Sequence, residues 1–67
     1  MMRVPVRVGQ VRIDPDRRVV SRRLLVVGVG RKYASLIRGP PNGRATRIRL
    51  DRLEKFPVES VVAGEGA

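Results

Sequence analysis

The sequence predicts an all-β fold: five short antiparallel strands, with one helical turn before the last. Three observations point there. Twelve of the 67 residues are valine, a β-branched residue that packs well on a pleated surface. Short apolar or alternating runs are separated by Gly, Pro, Asn and Asp turn signals. A chain of this length can bury only about 60% of its unfolded surface, enough for one thin core.

The elements follow in order. Arg3-Val4-Pro5-Val6-Arg7-Val8 alternates, but Pro5 lacks a backbone donor, so this part is a lead-in or an edge. Gly9 stands where the apolar parity switches to Val11 and Ile13, which predicts a bulge or sharp bend. Asp14-Pro15-Asp16 ends the strand in a turn, and Arg17 to Arg23 forms a long basic loop. Leu24-Leu25-Val26-Val27-Gly28-Val29 is a continuous apolar run of strand length, predicting a buried central strand. Gly30-Arg31 closes a tight hairpin into Lys32–Arg38, with Ala34 and Leu36 inward and Tyr33 and Ser35 outward. Gly39-Pro40-Pro41-Asn42-Gly43 is the strongest turn signal. The next run, Ala45 to Leu50, has the clearest period of two: Thr46, Ile48 and Leu50 on one face, Arg47 and Arg49 on the other. Asp51 followed by Glu54 has capping-box spacing and predicts a helical turn starting near Asp51. Phe56-Pro57 ends it, and Val58 to Val62 supplies the last strand. Residues 1–62 are expected to form a single domain and 63–67 a disordered tail.

Strand, long loop, strand, tight turn, strand, turn, strand, helical turn and strand is the layout of a small five-stranded antiparallel SH3-like barrel. Bending one sheet on itself gives so short a chain a core face and hides most of its edges. An OB-like barrel is the runner-up and usually needs more residues. The expected core contains Val11, Ile13, Leu25, Val27, Leu36, Ile48, Leu50, Leu53 and Val61, with Phe56 beside it.

Fifteen Lys and Arg against six Asp and Glu give a net charge of +9. So basic a domain attracts polyanions, of which nucleic acid is the commonest in a cell. The expected partner is therefore nucleic acid, as DNA or structured RNA, with an acidic protein surface as the alternative. An open strand edge with the Val4-Pro5-Val6 arm offers a route to a homodimer. There is no membrane-length apolar run and no signal-peptide pattern, so the expected location is the cytoplasm.

Enzymatic chemistry is not expected. The chain has no Cys and no His, which removes thiolate nucleophiles, the usual general base and the common zinc ligands. Asp14 and Asp16 are the only close carboxylate pair, and turn bonding with ion pairing explains them. Gly28-Val29-Gly30 joins strand to strand without the helix and lysine of a phosphate loop. No cofactor and no metal are expected.

The candidate contact residues are Arg47 and Arg49, forced outward together by alternation, with Arg44 and Arg52 beside them. The neighbouring hairpin would bring Arg31 or Tyr33 within reach. A stripe of guanidinium groups at strand spacing suits phosphate contacts. A single outward tyrosine is too little for base-stacking readout of single strands.

Val8-Gly9-Gln10-Val11, the Asp14-Pro15-Asp16-Arg17 turn and above all Thr46-Arg47-Ile48-Arg49-Leu50-Asp51-Arg52-Leu53 resemble a family of short proteins of actinobacteria and their phages. That family runs from a VGQVW opening to a TRIRLDRL block. The resemblance spans most of Val8 to Val62. It implies an SH3-like barrel and a phage or actinobacterial origin, and it carries no activity. Two positions depart from the pattern. Arg12 stands where the family has tryptophan, and the closing strand lacks an aromatic.

Overall fold

The computed structural model describes residues 5–40 and 43–61. Five antiparallel strands form one sheet: β1 (Gln10–Ile13), β2 (Arg23–Val29), β3 (Tyr33–Arg38), β4 (Arg44–Arg49) and β5 (Val58–Val61). A single turn of helix, α1 (Leu50–Leu53), sits between β4 and β5. The spatial order is β4-β3-β2-β1-β5, so the last strand returns beside the first. This is the small SH3-like barrel layout that the element order predicts. Residues 63–67, with Pro41 and Asn42 of the Pro-rich turn and Val4 of the N-terminal arm, lie outside the described residues.

Local chemistry explains the breaks. Gly9 has a φ of 97° and sends its N–H to Val26 O at 2.9 Å, so the chain bends into β1 at the predicted glycine. Any side chain at Gly43 would collide with the Arg38 carbonyl, which restricts the start of β4 to glycine. In the β1–β2 loop, Asp14 is buried and fully engaged. Its Oδ1 accepts from Asp16 N at 2.9 Å, and its Oδ2 accepts from Arg38 Nη1 at 3.2 Å. The loop is thus tied to the end of β3, and the two carboxylates take the turn-forming role the sequence suggests.

The core lies on one side of the curled sheet. Leu24, Val26, Ala34, Leu36, Leu53 and Phe56 form it, and Val6, Ile48 and Leu50 pack against it. Residues paired across antiparallel strands share a face. Register therefore decides the rest: Val26 pairs with Leu36, Ala34 with Ile48, and Leu24 with Arg12.

That last pair overturns part of the expected core. Leu24 and Val26 face inward, whereas Leu25 is half-buried and Val27 is 45% exposed. Val11, the register partner of Leu25, is buried but on the far side of the sheet from the core cluster, and Ile13 is half-buried. An unbroken apolar run has no period of its own, so either phase of β2 satisfies it. Taking Arg12 as outward because it is charged puts Val11, Ile13 and Leu25 inward, one residue out of phase. Val27 also sits at the bulge between Val26 and Gly28, where the register shifts. Val61 is 65% exposed at the end of an edge strand and is not core.

The start of α1 differs as well. Arg49 occupies the cap position without a side-chain cap bond, and the helix begins at Leu50, one residue before Asp51. Leu50 N donates instead to Lys32 O at 2.8 Å, so a main-chain bond to the β2–β3 turn starts the helix. The Asp51 and Glu54 capping box does not form.

Candidate nucleic-acid interface

Arg12 and Arg47 illustrate how the barrel sorts its arginines. Arg12 is 0% exposed. Its Nε donates to Gln10 Oε1 at 3.0 Å, and its Nη1 faces the carbonyls of Leu53 at 3.0 Å, Glu54 at 3.4 Å and Phe56 at 2.9 Å. Those carbonyls belong to the C-terminal end of α1 and the chain just beyond it, where helices leave acceptors unsatisfied. Burial pulls the Arg12 pKa down from its ordinary value, and the charge of Glu54 opposes that shift. Gln10 completes the network, accepting from Arg7 N at 3.2 Å and donating to Pro5 O at 2.8 Å. This arginine is a structural member of the core and is unavailable to a ligand. The N-terminal arm is bound by the same network, and Val6 packs on the core.

The outer face of β3 and β4 is different. Ser35 pairs with Arg47 and Tyr33 with Arg49, which puts all four on the face opposite Ala34 and Leu36. The Arg47 guanidinium lies 5.6 Å from the centroid of the Tyr33 ring. A cation held over an aromatic face keeps its charge and most of its donors, and its orientation is restricted. Arg49 Nε donates to Asp51 Oδ1 at 3.4 Å, an exposed pair that contributes little to stability.

Beside this stripe is an open cleft of about 380 Å³, lined by Arg31, Lys32, Arg49, Leu50, Asp51 and Glu54. The Leu50–Lys32 main-chain bond fixes its two walls, the β2–β3 turn and the β4–α1 junction, against each other. Arg31 and Lys32 have no ion pair among the described residues.

The structure therefore gathers Tyr33, Arg31, Arg47 and Arg49 on one side of the barrel and leaves two predicted members elsewhere. Arg44 pairs with Arg38 at the far end of β4 and has the inward parity of Thr46 and Ile48. Five residues of strand separate it from Arg49, about 17 Å. Arg52 is exposed on α1 and lies within electrostatic reach of Asp16 in the β1–β2 loop, outside the lining of the cleft. Sequence reasoning missed Lys32, Asp51 and Glu54 as cleft residues. Their grouping follows from the main-chain bond from Leu50 N to Lys32 O, which no local sequence pattern signals.

Among the described residues, no group of three acidic or metal-ligating side chains is placed to hold a metal ion. No helix there is long and apolar enough to cross a membrane. No family model, curated protein or solved structure matches the chain.

Proposed function

We propose that this small basic barrel is a binding module, without catalytic activity, that contacts nucleic-acid backbone independently of sequence. The observation that carries the proposal is the shared outward face of Tyr33, Arg47 and Arg49 beside the Arg31 and Lys32 turn. Guanidinium groups suit phosphate oxygens because they offer paired donors in a fixed plane. One ring, already under a guanidinium, gives no platform for reading a run of bases. Contacts would go to phosphate and sugar, which position a protein without specifying a sequence.

The test is a salt titration of binding to duplex DNA and to a structured RNA. Binding should weaken linearly on logarithmic axes as salt displaces the protein from phosphate. A wild-type protein with no salt-sensitive affinity for either polymer at low ionic strength contradicts the proposal, and an acidic protein surface then becomes the partner to seek.

A further inference from the structure

We infer that the cleft beside Tyr33 recognises the ribose 2′-hydroxyl, so that the surface prefers RNA to DNA. The inference rests on the nucleic-acid reading above and adds the polymer. Its basis is a feature that backbone binding alone does not explain. The chain has only six carboxylates, yet two of them, Asp51 and Glu54, line the cleft with Arg31, Lys32 and Arg49. A carboxylate inside a phosphate-binding surface repels the ligand unless the ligand presents a donor to it.

The two acids have different tasks. Glu54 is half-buried, and its charge acts on the Arg12 guanidinium, so it belongs partly to the core network. Asp51 has no such duty. Its side chain is 69% exposed, and among the described residues its only ion pair is the 3.4 Å contact from Arg49 Nε to Oδ1. Oδ2 has no protein donor among the described residues. An ionised carboxylate only accepts, so its ligand must supply an O–H or N–H.

A ribonucleotide unit answers both halves of the cleft. Its phosphate suits Arg31 and Lys32, which have no ion pair among the described residues, and its 2′-hydroxyl is a donor close to that phosphate. Deoxyribose has no group there, and the Asp51 charge then faces an undiminished phosphate. The 2′-hydroxyl is the general means by which proteins tell the two polymers apart. Leu50 contributes an apolar surface to the same cleft.

The experiment compares an oligouridylate with the oligodeoxyuridylate of the same length, which differ only in the 2′-hydroxyl. The wild-type protein should bind the RNA about tenfold more tightly, the effect of one hydrogen bond to a charged acceptor. Asp51→Ala should bring the ratio to about one by weakening the RNA complex and leaving the DNA complex equal or tighter. Equal wild-type affinities overturn the inference while leaving the nucleic-acid proposal standing, and no variant is needed to see that result. A preference that survives in a folded Asp51→Ala protein overturns it too. If neither oligomer binds in a salt-sensitive way, the inference fails, and the titration against duplex DNA and structured RNA decides the nucleic-acid proposal separately.

Discussion

Arg12 and Arg47 are the same residue type on opposite sides of one sheet, and they have opposite fates. Arg12 is enclosed, with Gln10 Oε1 and three main-chain carbonyls around its donors. Arg47 faces away from the core and rests on a tyrosine ring. Thirteen of the fifteen cations are arginine, so residue type alone cannot separate structural groups from available ones. The number of acceptors that the fold places around each guanidinium can. Wherever a helix end leaves carbonyls pointing inward, a buried arginine becomes a joint. Over a sheet face with no such carbonyls, its donors stay open to a ligand.

Truncating the two arginines should therefore give very different results. Arg12→Ala removes a buried cation and leaves the carbonyls behind α1 without its donors, at a cost of about 3–5 kcal/mol. A domain this small rarely has more than about 3–5 kcal/mol in total, so the variant should be largely unfolded by circular dichroism. Arg47→Ala lies outside the core and should change stability by no more than about 0.5 kcal/mol in urea denaturation. A stable Arg12→Ala protein would break the comparison at its inner half.

The second contrast tests the face that Arg12 defines. Leu24 is fully buried and shares its face, so Leu24→Ala should cost about 2–5 kcal/mol. Leu25, half-buried on the other side, should cost no more than about 1 kcal/mol in the same denaturation experiment. Equal losses would mean that β2 is in the other phase.

These residues also show which parts of the fold were legible in the sequence. Period-two runs read correctly: Ala34 and Leu36 point inward, and Arg47 and Arg49 point outward. Turn chemistry was legible too, in the bend at Gly9 and the Asx bonds of Asp14 and Asp16. The phase of β2 was not, because Leu24 to Val27 are all apolar and the deciding residue is a charged one turned inward. Charge normally predicts an outward side chain, and the carbonyls at and just beyond the end of α1, 41 to 44 positions away, reverse that. The candidate site was half legible. Alternation gives the Arg47 and Arg49 pair, but the cleft depends on Leu50 bonding to the turn at Lys32, a contact no local pattern encodes.

The smallest expected effect concerns acid. Hydrogen bonds from Arg18 hold the Asp16 carboxyl below its ordinary pKa of 3.8. A carboxylate with a depressed folded pKa contributes stability above its unfolded value, and that contribution is lost as pH falls through the folded value. Melting temperatures taken from about pH 5 down to about pH 2 should therefore fall a little less steeply for Asp16→Asn than for the wild type. Identical acid limbs would show that the loop contacts of Asp16 do not survive in solution.

The outer half of the comparison is tested most directly by the salt slope of nucleic-acid binding. Each lost phosphate contact lowers the magnitude of the logarithmic slope by roughly 0.9 on duplex DNA. Arg47→Ala combined with Arg49→Ala should therefore flatten the slope by roughly 1.8 and weaken all sequences alike, with the melting temperature nearly unchanged. A double variant that binds with the wild-type slope would contradict the claim that this face meets the backbone.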